Sequence, residues 1–162
     1  YGLTKGQMSP TSEKGFKSPS SPYGAVEEPV NPIALAVITG ATYVARGYAF
    51  DGLHLKNLIV NGMKHKGFAI IDILQPCTTY NKINTMEWYK PRLYKLESEG
   101  HDTTDKMAAL QRAGEWGDRI PIGLFYQVQK PTYEDSLPQA EIPPVKHDIS
   151  NIDIAPMLAR FR

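Results

Sequence analysis

The stretch that decides the fold is Thr42-Tyr43-Val44-Ala45, then Asp51 to Met63, then Phe68-Ala69-Ile70-Ile71-Asp72-Ile73-Leu74. Thr42 to Ala45 is β-branched and aromatic, which predicts a short strand. Arg46 and Gly47 are expected to open a loop after it. Asp51 offers a side-chain cap, and Leu55, Leu58, Ile59 and Gly62 recur at i, i+3, i+4 and i+7, with Met63 extending that face. That spacing predicts an amphipathic helix stopped near Gly67. The run 68–74 is almost continuously apolar, which predicts a strand buried on both faces, as in a parallel sheet. Strand, helix, strand in so short a span is a βαβ unit. The expected class is α/β with a parallel sheet.

The flanks extend this reading. Residues 1–30 carry glycines and prolines but no apolar periodicity, and read as a long irregular segment. Asn31-Pro32 is a helix start, since Asn caps and Pro fits the first helical position. The following Ile33-Ala34-Leu35-Ala36-Val37-Ile38 is apolar almost all round, so a buried helix is expected. Residues 85–97 predict an aromatic helix with Trp88 and Tyr89, interrupted near Pro91. Asp102 to Ala113 predicts a short helix ended by Gly114, and Ile120 to Val128 another strand. From 129 onward, prolines 131, 138, 143, 144 and 156 forbid long elements. That extension is expected to wrap a neighbour or partner. The organisation is thus 1–30, a loop; 31–128, the α/β body; and 129–162, a Pro-rich tail.

Composition narrows the class. With 162 residues the chain is one domain's worth. Lys plus Arg number 18 against 17 Asp plus Glu, a balance that argues against a nucleic-acid surface. The one cysteine, Cys77, excludes an intrachain disulfide. No apolar run approaches the ~20 residues that span a bilayer, and no signal segment opens the chain. A soluble, cytoplasmic protein with no membrane partner is expected. The sequence opens on Tyr1, not Met, so part of a longer product is expected.

Candidate chemistry is sparse. In open parallel sheets ligands bind beyond the carboxyl ends of strands, and both Cys77, just after Pro76, and Arg46 are read at such ends. Cys77 is either a small buried hydrophobe or a metal or cluster thiolate, and one cysteine cannot complete a four-thiolate site. His54, His65, His101 and His147 lack zinc spacing and read as surface or helix-end histidines. Glu27-Glu28 reads as an exposed charge pair. Asp72, in an apolar strand, must find a partner. Tyr1-Gly2-Leu3-Thr4-Lys5-Gly6-Gln7 joins close-approach glycines to a hydroxyl and a mobile cation, which suits an anionic ligand, although a solvated turn has the same composition.

Tyr1-Gly2-Leu3-Thr4-Lys5-Gly6-Gln7 with Ser9-Pro10-Thr11 resembles the segment after the thiamine-diphosphate motif in the β subunit of 2-oxoacid:ferredoxin oxidoreductases. The resemblance continues, in the same order, through Glu28-Pro29-Val30-Asn31-Pro32, Ala41-Thr42-Tyr43-Val44-Ala45-Arg46-Gly47 and His65-Lys66-Gly67-Phe68. It ends with Gln75-Pro76-Cys77, Tyr80-Asn81 and Ile120-Pro121-Ile122-Gly123 with Phe125-Tyr126. The family's Gly-Asp-Gly motif, its Mg2+-binding Asn and three cluster cysteines lie earlier and have no counterpart here, so the resemblance is to the C-terminal half of that subunit.

What the resemblance implies is specific. The fold is the C-terminal half of a thiamine-diphosphate-binding α/β domain. Cys77, in a loop spanning 75–84, is the fourth ligand of a [4Fe–4S] cluster. Tyr1, Gly2, Leu3 and Thr4 line thiamine diphosphate, and Leu3 and Lys5 face the substrate. The family's pyruvate-specific branch has glycine where Lys5 stands, so Lys5 points to 2-oxoglutarate or a broad range. The implied reaction is oxidative decarboxylation of a 2-oxoacid with coenzyme A, electrons passing through the cluster to ferredoxin. Its cofactors are thiamine diphosphate, Mg2+ and the cluster. Its partners are an α subunit, the remaining half of the β subunit and ferredoxin, and this chain by itself is expected to be inactive. The alternative is a non-catalytic assembly fragment that keeps the fold without a complete cofactor site. Without its first strands the sheet would present an unpaired edge and poor solubility is expected.

Overall fold

The computed structural model describes residues 6–137, 142, 144–148 and 150–161. The chain divides into two compact units, Tyr1–Lys130 and Pro131–Arg162. In the first, a four-stranded sheet is built from β1 (Tyr43–Tyr48), β2 (Ala69–Leu74), β3 (Leu93–Lys95) and β4 (Ile120–Gln127), in the order β2-β1-β4-β3. α1 (Pro32–Thr39) precedes β1, and α2 (Gly52–Lys64), α3 (Met86–Tyr89) and α4 (Lys106–Ala113) run between the strands. β1 and β2 pair in parallel across α2, with Tyr43 opposite Ala69 and Arg46 opposite Asp72. β3 and β4 are also parallel.

The third pairing differs from an all-parallel expectation. β1 and β4 are antiparallel, with a register shift between Val44 and Ala45. Pro121 is accommodated because the two ladders on β4 are offset. Ile120 donates its N–H to the carbonyl of Arg92, so the Pro121 nitrogen points away from β3. On that side the β1 ladder ends at Gly123, and no donor is missed there.

Side chains on β1 alternate between two cores. Val44 joins Ile33, Val37, Ala109 and Phe125 in a core shared with α1 and α4. Tyr43 and Ala45 pack with Leu58 of α2. A third cluster joins Tyr48, Leu74, Tyr89, Ile120 and Ile122. All six β1 residues are buried. The strand therefore runs on through Arg46 and Gly47, where a loop was expected. The Arg46 charge is accepted inside the sheet because Asp72 stands opposite it. Gly47 leaves room there for Leu55 of α2: a Cβ would lie 2.6 Å from Leu55 Cδ1, which would have to turn aside.

Three more expectations are corrected. α1 is not buried all round: Ile33, Ala36 and Val37 face the core while Leu35 and Ile38 are exposed. β2 is not buried on both faces, because it is an edge strand; Ile73 and the adjoining Phe68 are exposed. Residues 85–97 form one helical turn, then β3, then a 3-10 turn at Leu96–Glu99. Pro91 stops the helix, and Arg92 instead supplies the carbonyl that Ile120 uses.

Caps are as the sequence demands. The Asn31 side-chain carbonyl accepts from Ala34 N at 3.0 Å, and its amide donates to the Ala113 carbonyl at 2.6 Å, tying α1 to the end of α4. Asp51 caps α2, and Asp105, three residues beyond the expected Asp102, caps α4. Within the second unit the described residues form short 3-10 turns and α5 (Ala155–Leu158). Among the described residues no helix is long and apolar enough to cross a membrane.

Candidate functional site

β2 ends at Leu74, and Gln75-Pro76 carry the chain to Cys77 just beyond its carboxyl end. The backbone then turns back on the sulfur. Tyr80 N–H donates to Cys77 Sγ at 3.5 Å, and Asn81 N–H donates to the Cys77 carbonyl at 3.2 Å. The Tyr80 N–H holds the thiol below its ordinary value; burial opposes this, and the Thr79 and Asn81 backbone groups add to the lowering. The Tyr80 N–H is thus aimed at the atom that carries charge in the thiolate form. Cys77 is half-buried and not a packed core hydrophobe.

The loop keeps this shape because of two asparagines. Buried Asn81 accepts from Ile83 N and Asn84 N, both at 2.9 Å, and donates to Asn84 Oδ1 at 2.9 Å. This side chain replaces the backbone ladder that the turn lacks. Thr85 then caps α3 by accepting from Trp88 N.

The end of the opening motif, Gly6-Gln7, reaches the same place. Gly6 has φ 69° and lies so close to the Tyr80 ring that a Cβ there would stand 2.7 Å from Tyr80 Cδ1. Tyr1, Gly2, Leu3, Thr4 and Lys5 lie outside the described residues.

Arg46 and Asp72 are not at strand ends but mid-strand, facing each other across the parallel ladder. Arg46 Nε donates to Asp72 Oδ2 at 2.8 Å, so the carboxylate has the partner it required. The Arg46 guanidinium also stands 5.5 Å from the Trp116 and Phe125 ring centroids. Two of the histidines stand at helix ends, as expected: His54 in the first turn of α2 and His65 at its C-cap. His54 meets Glu97, His65 meets Thr42 Oγ1 at 2.8 Å, and His101 meets the Phe125 carbonyl at 2.8 Å, each half-buried. His147 is exposed, and Glu28, also exposed, pairs with Lys14. Among the described residues no group of three or more His, Cys, Asp or Glu could hold a metal ion. Reading along the sequence missed the Asn81–Asn84 pair. The Asn-x-x-Asn spacing soon after Cys77 was the available signal.

The family model that covers the C-terminal part of the pyruvate ferredoxin oxidoreductase beta chain matches residues 77–141, beginning at this cysteine. The chain is 51% identical over 148 residues to 2-oxoacid:ferredoxin oxidoreductase subunit beta of Sulfolobus sp, covering 85% of this chain and 48% of that protein. It is 46% identical to the subunit of the same name from Saccharolobus solfataricus, over 96% of this chain and 56% of that one. Among solved structures it superposes on 2-oxoglutarate:ferredoxin oxidoreductase from Magnetococcus marinus, with 2-oxoglutarate, coenzyme A and succinyl-CoA bound. There the TM-score is 0.84 at 36% identity, over 100% of this chain and 55% of that one. The mixed α/β fold is thus one that the chain shares with subunits of ferredoxin-linked oxidoreductases. The chain belongs to the β-subunit family of the 2-oxoacid:ferredoxin oxidoreductases and corresponds to their C-terminal part. It spans about half the length of the curated relatives it matches.

Proposed function

We propose that this chain is part of a cytoplasmic 2-oxoacid:ferredoxin oxidoreductase that converts a 2-oxoacid and coenzyme A to acyl-CoA and CO2. A [4Fe–4S] cluster held in part by Cys77 would supply the one-electron path to ferredoxin. The observation that carries this reading is Cys77. It stands where the family match begins, beyond the carboxyl end of a parallel strand, with backbone N–H groups aimed at its sulfur.

Thiamine diphosphate would supply the carbanion chemistry of decarboxylation and the cluster the one-electron path. Cys77 fits one cluster position, since a thiolate is the ligand form and the Tyr80 N–H donates to this sulfur. The chain has one cysteine, and its described residues hold no acidic cluster suited to Mg2+. The remaining ligands would come from the other half of the β subunit, and this chain alone would be inactive. Within this chain, Asn81 fixes the loop that presents Cys77, and Gly6 lets the backbone that follows Tyr1 to Lys5 pass against that loop. Tyr1, Gly2, Leu3 and Thr4 are proposed to line the thiamine cofactor, with Leu3 and Lys5 toward the substrate. The Lys5 cation would pair with a second carboxylate, as in 2-oxoglutarate, in a charge-assisted contact.

The test is made on the intact complex, with its α subunit and full-length β subunit. Iron and acid-labile sulfide in equal amounts, with 2-oxoacid- and coenzyme-A-dependent reduction of ferredoxin, are expected. A complex without iron, or one that decarboxylates without reducing ferredoxin, overturns the reading.

A further inference from the structure

The opening motif meets the cysteine loop at one side chain. Gly6 is buried, with φ 69°. A Cβ there would stand 2.7 Å from Tyr80 Cδ1, 3.1 Å from Tyr80 Cγ and 3.2 Å from Pro19 Cδ. The Gly6 backbone thus rests on the Tyr80 ring with Pro19 close by, and a side chain at position 6 would have to displace that ring. The left-handed φ selects glycine independently.

The ring is a firm seat because the backbone beneath it is held on both sides. Tyr80 donates its N–H to Cys77 Sγ at 3.5 Å. The next residue, Asn81, is 3% exposed. Its N–H donates to the Cys77 carbonyl, and its side-chain oxygen accepts from Ile83 N and Asn84 N. Close-packed contacts transmit a displacement and do not absorb it, so the position of the Tyr80 ring sets that of Gly6. Lys5 is joined to Gly6 by one peptide bond and carries its ammonium on a flexible four-carbon stem. Ordering such a stem costs entropy, and a fixed root is what the fold can add to a contact between Lys5 and a carboxylate.

We propose that Tyr80 is a positioning residue for 2-oxoacid selectivity: its ring seats the Gly6 turn and so fixes the root of Lys5 for a dicarboxylic 2-oxoacid. This rests on the function proposed above, which turns Lys5 toward the substrate. Tyr80 acts through Lys5 and is assigned no contact with the substrate itself.

The experiment uses the intact enzyme complex as wild type, Lys5→Ala, Tyr80→Ala, Gly6→Ala and the last two combined. KM is measured for 2-oxoglutarate and for pyruvate, which lacks the second carboxylate. Tyr80→Ala removes the ring and keeps the N–H on Cys77 Sγ, so the paramagnetic resonance of the reduced cluster is expected to match wild type. Gly6→Ala drives a Cβ into the ring and leaves the sequence of the cysteine loop intact; if the resonance differs in Tyr80→Ala, Gly6→Ala decides. Lys5→Ala is expected to raise the KM for 2-oxoglutarate about tenfold, the worth of one charge-assisted contact, and not that for pyruvate. Tyr80→Ala and Gly6→Ala are each expected to do the same. The double variant is expected to be no worse than Gly6→Ala alone, because both act through one contact. Equal rises for the two acids, unchanged KM values, or losses that multiply in the double variant overturn the proposal. If Lys5→Ala itself leaves the ratio of the two KM values unchanged, the placement of Lys5 fails as well. If it shifts that ratio and the other variants do not, only the role of Tyr80 fails.

Discussion

Replacing Asp72 by Leu removes the carboxylate from a guanidinium that is only 3% exposed. Arg46 would then sit mid-strand with Nε as well as Nη1 unpaired. Breaking a fully buried ion pair from one side costs about 3–5 kcal/mol. The Asp72 side chain is 22% exposed, so water reaches that flank and the cost falls to the lower end, about 3 kcal/mol. Arg46→Met alone leaves Asp72 partly hydrated and costs about 1–2 kcal/mol. The double variant carries no buried charge and, with similar volume, returns to within about 1 kcal/mol of wild type. The coupling between the two positions is then about 3 kcal/mol. Urea unfolding of the four proteins followed by circular dichroism reads this as a midpoint shift. With a slope of about 2 kcal/mol/M, Asp72→Leu lowers the midpoint by about 1.5 M. A cost under about 1 kcal/mol for Asp72→Leu, or a double variant no better than it, would refute the claim that Asp72 is what lets the sheet accept the Arg46 charge.

Three further outcomes follow from the same structure. Asn31→Ala removes both the α1 cap and the bond to Ala113, and is expected to cost about 2 kcal/mol in urea unfolding, whereas Asn31→Asp keeps the cap and costs about half that. Burial and the Glu115 hydrogen bond push the Tyr94 hydroxyl up to about 12 from an ordinary value near 10. A pKa raised on folding contributes stability that is whole below about pH 10 and lost as pH rises toward about 12. Tyr94→Phe should therefore flatten the stability curve in that window, and an unchanged curve would contradict it. In protein stripped of iron, alkylation of Cys77 should show a midpoint below the ordinary thiol value of about 8.5, and Tyr80→Pro, lacking the N–H, should move it upward.

What could be read along the chain was what lies in short range. The βαβ unit was legible because Leu55, Leu58 and Gly62 keep a helical period between two β-rich runs, and Asn31, Asp51 and Gly114 act within a turn of the helix they limit. What could not be read depends on distant partners. Arg46 looks like a strand end until Asp72, 26 residues on, is seen opposite it. Apolar 68–74 looks doubly buried until the strand order places β2 at an edge. Of the helix expected over 85–97, the part before Pro91 forms as Met86–Tyr89, while beyond it residues 93–95 pair with the distant 120–122. For the site, the position of Cys77 after its strand was legible. The Asn81–Asn84 clasp is a matter of side-chain geometry, and the contact of Gly6 with the Tyr80 ring joins two separate segments that no local pattern connects.

The central claim is that Cys77 closes an iron–sulfur cluster in a ferredoxin-linked oxidoreductase. Low-temperature electron paramagnetic resonance of the dithionite-reduced intact complex, wild type against Cys77→Ala, tests it most directly. A reduced [4Fe–4S] signal is predicted in wild type, lost or converted to a three-iron form in the variant, with ferredoxin reduction lost alongside. An unaltered signal and unaltered iron content in Cys77→Ala would contradict it.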